Sequence, residues 1–327
     1  MMPSPATGHL VSMSDIAPDL EAILARAAEL KAERQRGTLA PTLQGKNLAM
    51  IFEKPSTRTR TSFEVAMNDL GGHGLYMSSR DLQLGRAETI ADTARVLSRY
   101  VDGICYRAYR HADMLELAKW STVPVLNALD DLEHPCQTVA DLLTMRERWA
   151  GKFPGHRVAW IGDGNNVLHS LLIGAGALGL DVSSATPAGY LPHPEIVAVA
   201  QALAKTSGAR LTFVRDPKDA ARGADALYTD VWVSMGEESE EAARKAAFQG
   251  YQINAALLAL AQPEAFVLHD LPAHRGLEIT DDVLDGPRAA VWDQAENRLH
   301  GQKALLERFL RAPNPSSRPP GRRATGS

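Results

Sequence analysis

The residues Ser56-Thr57-Arg58-Thr59-Arg60 concentrate hydroxyls and guanidiniums between an apolar run and a segment with helical spacing. A helix N-terminus offers unpaired N–H groups and positive potential. With the hydroxyls of Ser56, Thr57 and Thr59 and the guanidinium of Arg58, such a turn suits a dianionic phosphate. The plainer alternative is an N-cap followed by a solvated basic turn, because Ser and Thr commonly begin helices. His134-Pro135-Cys136-Gln137 follows a strand pattern and opens a helix, at the carboxyl edge where α/β proteins place ligands. There His134 can donate to a developing oxyanion and Gln137 can hydrogen-bond an amide-like group, although a lone His of this kind is more often structural. Cys136 has no partner base in its surroundings and reads as an inert thiol. Arg107 ends DGICYR at another carboxyl edge, so two arginines, a histidine and several hydroxyls describe a small pocket for an anion.

Three later segments carry weaker signals. Gly162-Asp163-Gly164-Asn165-Asn166-Val167 follows a strand and supplies half of a dinucleotide fingerprint, but Val167 stands where the third glycine belongs. Asp230-Val231-Trp232-Val233-Ser234-Met235-Gly236 sets a carboxylate at a strand end before a Ser-Met-Gly turn, a combination suited to the ammonium and carboxylate of an α-amino acid. His269-Asp270-Leu271-Pro272-Ala273-His274-Arg275-Gly276 holds two His and an Asp without a defensible metal-ligand spacing; a polar loop after the strand AFVL is the bland reading. No metal and no cofactor is expected.

The elements that must position these residues alternate. The strand patterns NLAMIF (47–52), GLYM, DGICYR and VPVLNA are separated by the helical patterns TRTRTSFEVAMNDLGG, ETIADTARVLSRY and HADMLELAKW, and QTVADLLTMRERWA follows. This alternation predicts a parallel α/β sheet. The Gly/Pro break at 150–156 then opens a second lobe that begins with RVAWIG and a helix from about Val167. It continues through LDVSSATP, PEIVAVAQALAKT, RLTFVR, DALYTDVW, AFVLHDLP and AAVWDQA. The fold class expected is α/β, with two doubly wound parallel-sheet lobes joined by interdomain helices. The helix ENRLHGQKALLERFL should pack across the lobe interface, and the Pro-, Ser- and Arg-rich stretch 313–327 reads as a disordered tail.

At 327 residues the chain is long enough for two domains, and its net charge of -4 gives no nucleic-acid footprint. Two cysteines, Cys105 and Cys136, are too few for a disulfide framework and suit a reducing cytoplasm. No apolar run approaches the ~20 residues of a membrane span, and the first residues lack a signal-peptide pattern. A cytoplasmic, unprocessed protein is expected.

Taken in order, FEKPSTRTRTSFEVA, DTARVLSRYVDGICYR, HPCQTVADLLT, GDGNNVLHS, DVWVSMG, LPAHRG and QAENR resemble the transcarbamylase family, and within it the ornithine carbamoyltransferases, from about residue 15 to 311. The resemblance implies a carbamoyl-phosphate-binding domain at 1–150, to which a C-terminal helix at 295–311 returns, and an ornithine-binding domain at 151–294. It implies a homotrimer with sites at subunit interfaces, with no nucleic-acid or membrane partner. Carried over residue by residue, Ser56, Thr57, Arg58, Thr59, Gln83, Arg107, His134, Gln137, Leu271 and Arg298 match the carbamoyl-phosphate site, Gln83 being donated by a neighbouring subunit. Asn166, Asp230, Ser234 and Met235 match the ornithine contacts.

The chemistry this implies is attack of a neutral δ-amine on the carbamoyl carbon, charge building on the carbonyl oxygen, and departure of phosphate, with no covalent intermediate. Arg107, His134 and Thr59 are candidates for the oxyanion, and Arg58 and Ser56 for the phosphate. The chain departs from the family at Asp270, where His-Cys-Leu-Pro is usual. Two like unit charges ~4 Å apart cost about 4 kcal/mol at an effective dielectric of 20, so a carboxylate beside a phosphate dianion matters. Asp270 has three outlets: it holds the acceptor's ammonium side, is partly protonated, or pairs with Arg298 or Arg275. Arg58, Arg107, His134 and Asp270 are thus the candidate catalytic residues.

Overall fold

A computed structural model describes residues 8–78, 82, 88–234 and 238–311; Gln83, Met235 and the segment 313–327 lie outside them. The first lobe is a parallel sheet in the order β2-β1-β3-β4, formed by β1 (Asn47–Phe52), β2 (His73–Ser78), β3 (Gly103–Arg107) and β4 (Val125–Leu129). The second is a parallel sheet in the order β7-β6-β5-β8-β9, formed by β5 (Arg157–Ile161), β6 (Asp181–Ala185), β7 (Leu211–Val214), β8 (Ala226–Thr229) and β9 (Phe266–His269). Residues 48–52 of β1 and all of β3, β4 and β6 are buried, because crossover helices cover both faces and leave no solvated side to demand polar alternation. Strand order reverses direction between β1 and β3 and again between β5 and β8. The carboxyl ends at these two reversals are where an open parallel sheet leaves a crevice.

The first-lobe helices are α1 (Leu20–Arg36), α2 (Thr57–Asp69), α3 (Ile90–Leu97), α4 (His111–Trp120) and α5 (Pro135–Arg148). The sequence patterns place all of these except α1, whose amphipathic turns end at Gly37 in the left-handed region. The second lobe has α6 (Asn166–Leu178), α7 (Pro194–Ser207) and the short α8 (Pro217–Ala221), α9 (Glu241–Ala247), α10 (Ala255–Leu258) and α11 (Asp281–Leu284).

The last helix, α12 (Val291–Leu310), corrects one reading. AAVWDQA is not a strand: only Ala289 bridges β9, at Val267, and Val291 begins the helix. Its apolar start mimics a short strand, but the buried positions Val291, Gln294, Asn297, Arg298, Gly301 and Leu305 follow helical spacing. This helix packs on α1, α2 and α5, so the end of the chain returns to the first lobe. One apolar core runs from Leu48 and Phe63 through Leu142 and Leu305 to Leu171 and Trp160, joining the lobes. At the α5–α6 crossing, a Cβ on Gly174 would stand 2.9 Å from Leu142 Cδ1, so a larger residue there would make the Leu142 side chain shift. No helix among the described residues is long and apolar enough to cross a membrane.

Candidate active site

The carboxyl ends of β1, β3 and β4 face those of β8 and β9 across a cavity of about 420 Å³. Ser56, Thr57, Arg58 and Arg107 line one wall; Asn166, Asp230, Ser234, Asp270 and Leu271 line the other. Residues not anticipated as site members complete the lining, notably Lys54 and His274. Thr59, His134, Gln137 and Arg298 are not in the wall but buried behind it.

The phosphate-type turn forms as its residues dictate. Ser56 is the N-cap of α2, and its Oγ accepts from the Thr59 N–H at 3.2 Å, leaving the first turn of the helix aimed at the cavity. Arg58 reaches across to the other lobe, where its Nη2 donates to the Leu271 carbonyl at 2.7 Å. Leu271 holds that carbonyl with φ +64°, a left-handed conformation uncommon outside glycine. Arg107 ends β3 almost fully buried, and its Nε has no partner among the described residues. Burial, then the charge of Arg298, lowers its pKa to about 10.

Arg298 comes from α12. Its Nη2 donates to Thr59 Oγ1 at 2.7 Å and its Nη1 to Gln137 Oε1. The Gln137 Nε2 donates in turn to Asp141 Oδ1 at 2.8 Å, so both ends of the Gln137 amide are engaged. In this geometry the amide holds Arg298. Asp141 was not anticipated. It also accepts from Gln294 Nε2 at 2.7 Å and from Tyr228 OH of β8 at 2.8 Å, tying both lobes and α12 to one carboxyl group. Burial raises its pKa to about 7, and its hydrogen-bond donors hold it from rising further. His134 sits beside these groups with its Nδ1 unpartnered among the described residues, while its backbone N–H donates to Ser170 Oγ. Burial, and then Arg298, Arg107 and Arg58, hold its pKa well below the usual imidazole value, so it is neutral.

Across the cavity, the Gly162–Asn166 turn serves the protein's own packing. A Cβ on Gly164 would lie 2.3 Å from Pro192 N and 2.6 Å from the Tyr190 carbonyl, so the missing side chain admits another backbone segment. This accounts for the glycine that prompts the dinucleotide reading. Asp163 pairs with Arg244 at 2.8 Å. Asn165 caps α6 and donates to Asp230 Oδ2 at 2.8 Å, and Asn166 Nδ2 donates to the Asp130 carbonyl at 2.6 Å.

Asp270 takes one of its pairings. Its Oδ1 stands 3.7 Å from Arg298 Nη1, whereas Arg275 is engaged by Asp285 at 2.6 Å and Asp281 at 2.7 Å. Burial raises the Asp270 pKa above the ordinary carboxylate range, against the opposing charges of Arg298, Arg58, His269 and Arg107. His269 points inward. Its Nδ1 accepts from the Leu271 N–H at 2.8 Å, and its Nε2 lies 3.1 Å from buried Glu278. Among the described residues no group of three or more His, Cys, Asp or Glu is placed to hold a metal ion. The Cys136 thiol donates to the Asn127 carbonyl, and burial pushes its pKa up to about 12, as suits an inert thiol.

Residues 8–147 match the carbamoyl-P binding domain of aspartate/ornithine carbamoyltransferase, and residues 154–309 match its Asp/Orn binding domain. The chain belongs to the aspartate/ornithine carbamoyltransferase family. It is 54% identical over 303 residues to an ornithine carbamoyltransferase of Archaeoglobus fulgidus, covering 92% of this chain and 97% of the relative. It is also 54% identical to that of Methanoculleus marisnigri, covering 89% and 93%. The solved ornithine carbamoyltransferase of Pyrococcus furiosus superposes with a TM-score of 0.90 at 51% identity, covering 94% of this chain and 99% of that one. The fold and the family expected from the sequence motifs are therefore correct. As a carbamoyltransferase, the chain sets its arginines mainly on the carbamoyl-P lobe. Arg298 falls in the second matched segment, yet α12 carries it back to Thr59 and Gln137 of the first lobe.

Proposed function

We propose that this cavity joins carbamoyl phosphate to the δ-amine of L-ornithine, giving L-citrulline and phosphate. One observation carries the reading: the guanidiniums of Arg58 and Arg107 and the carboxylates of Asp230 and Asp270 line one cavity, with the guanidinium of Arg298 buried directly behind Asp270. With all five ionised, this set has one net positive charge. A dianionic carbamoyl phosphate reverses it to one negative, and ornithine, with a net charge of plus one, brings the filled site to neutrality.

In this reading Ser56, Thr57, Arg58 and the N-terminus of α2 take the phosphate, with Thr59 and Gln137 orienting Arg298 behind it. Neutral His134 and Arg107 donate to the carbonyl oxygen as charge builds there. Asn166, Asp230 and Ser234 receive the amino-acid end of ornithine, and the carbonyl of Leu271, held by Arg58, shapes the floor between the substrates. Holding two small charged substrates in contact supplies most of the rate.

Met235 at the acceptor end, Gln83 from a neighbouring subunit, a homotrimeric assembly and a cytoplasmic setting belong to the same proposal. They rest on the motif resemblance and on the two buried free thiols. Citrulline formation tests the activity, with putrescine, lysine, acetylornithine and aspartate as competing acceptors. Background turnover with ornithine, or preference for another amine, overturns the assignment. Light scattering tests the trimer.

A further inference from the structure

We propose that Asp270 is the catalytic base that removes a proton from the acceptor's terminal ammonium inside the cavity, with Asp230 beside it on the neighbouring strand. The inference rests on the ornithine reading above and goes beyond it by assigning the proton transfer.

The geometry follows from strand register. β8 and β9 are parallel and pair Thr229 with His269, so the next residues, Asp230 and Asp270, emerge side by side from neighbouring strands about 4.8 Å apart. Both line the cavity. The Oδ1 of Asp270 is buried towards Arg298 and has no hydrogen-bond partner among the described residues, and its ion pair with Arg298 is long at 3.7 Å. Arg107 Nε, buried at the opposite wall, is likewise without a hydrogen-bond partner among the described residues. The Asp270 side chain keeps 13% exposure and lines the cavity, so its carboxyl is not used up in the fold, unlike the carboxyl of Asp141, which accepts from Gln137, Gln294 and Tyr228.

The charged and titratable groups facing Asp270 are Arg58 from α2, Arg107 from β3, Arg298 from α12, His269 from β9, Asp230 from the end of β8, Tyr228 within β8 and Asp141 from α5. Burial pushes Asp270 upward while the guanidiniums of Arg298, Arg58 and Arg107 pull it back, and burial and then the charge of Asp270 push Asp230 well upward. The arginines thus favour the ionised form of Asp270 against its burial. A bound carbamoyl phosphate dianion offsets their charge and makes Asp270 more basic when the acceptor arrives.

The proton inventory closes. The carboxylate of Asp270 takes one proton from the δ-ammonium, leaving a neutral amine whose lone pair forms the new N–C bond. The bond from carbamoyl carbon to bridging oxygen breaks, its electron pair leaves with phosphate, and the second amine proton goes to the phosphate as it departs as hydrogen phosphate. Asp270 returns its proton to solvent on product release.

The test measures kcat/KM for ornithine from about pH 6 to pH 10, with saturating carbamoyl phosphate, for the wild-type chain and Asp270→Asn. An internal base lets the protonated amine bind productively, so the wild-type profile levels off once Asp270 is ionised. Asp270→Asn accepts only the neutral amine. Its profile climbs about tenfold per pH unit towards an amine pKa of ~10.4, and at pH 7 it lies about 10²-fold or more below wild type. The aminooxy analogue of ornithine, uncharged at its terminal nitrogen at neutral pH, is carbamoylated by Asp270→Asn within about tenfold of the wild-type rate. Parallel pH profiles, or equal losses with both acceptors, overturn the proposal. Thermal protection by phosphonoacetamide, a carbamoyl phosphate analogue, reports that the variant is folded, and Asp270→Ser carries the same comparison if Asn does not fold. A wild-type chain that forms no citrulline at any pH sinks the ornithine reading itself, a different result from an active enzyme indifferent to Asp270.

Discussion

Arg58 of the carbamoyl-P lobe donates through Nη2 to the carbonyl of Leu271 in the opposite lobe, 213 residues away in sequence, at 2.7 Å. A guanidinium expected to serve only the phosphate is therefore also a strut that positions the loop bearing Asp270. Each substrate's site is partly built by the other lobe.

Arg58→Lys should accordingly impair both substrates. A lysine ammonium keeps the charge but lacks the planar fork that can serve the Leu271 carbonyl and a phosphate together. Loss of a charge-assisted bond worth about 1.5–3 kcal/mol corresponds to a fall of about 10- to 100-fold in kcat/KM for carbamoyl phosphate. The KM for ornithine should rise as well. A pure phosphate ligand would leave ornithine KM unchanged, and steady-state kinetics with each substrate varied distinguishes the two.

Arg298→Met removes the buried cation that joins Thr59 and Gln137 and leaves Asp270 without its nearest guanidinium. Breaking a buried charged pair by deleting one partner typically costs about 3–5 kcal/mol. Urea unfolding should show a loss of that order at pH 7 that shrinks on acidification, because protonating Asp270 discharges the carboxyl left unpaired. An equal loss at every pH would indicate packing alone.

Asp141 gives a pH signature of opposite character to an ordinary salt bridge. Its pKa is about 7 in the fold against an ordinary aspartate value of 3.8. Between those values the folded chain holds a proton that the unfolded chain has released. This group's contribution is most favourable below pH ~4 and declines as pH rises towards 7, by at most about 1.4 kcal/mol per unit. Asp141→Asn removes that decline, so its stability relative to wild type should improve from pH 4 to pH 7 in chemical denaturation. Asp141→Ala, which leaves the donors of Gln137, Gln294 and Tyr228 without an acceptor, should be destabilised throughout.

Gly164→Ala should be among the costlier single-methyl additions in the second lobe. The new Cβ would meet backbone atoms of residues 190–192, which cannot move aside as the end of a side chain can. A loss of about 3 kcal/mol, at the upper end for overpacking, should appear as a lower Tm in calorimetry. Gly189→Ala, with nothing within 4 Å but φ +90°, separates backbone strain from crowding.

Local sequence settled whatever depends on near neighbours. The apolar run 47–52 appears as β1, HADMLELAKW as α4, and the Ser-Thr turn as a capped helix N-terminus at the cavity. Each is specified within a few residues by side-chain periodicity and capping chemistry. The ordered motifs also pointed to the carbamoyltransferase family, because their number and sequence constrain more than any one of them.

Tertiary packing decided the partners. Arg298 meets Thr59 across 239 residues, and Asp141 meets Gln294 across 153, encounters that no local pattern encodes. Gln137 looked like a ligand contact from its place in a motif, and the fold shows its amide joining Arg298 to Asp141. The sequence left Asp270 open between an acceptor contact, a proton and an arginine. The register of β8 on β9 set it beside Asp230, and the return of α12 set it beside Arg298. A residue's type states what charge it can carry, but the field that decides whether it carries it comes from groups that only folding brings within a few ångströms.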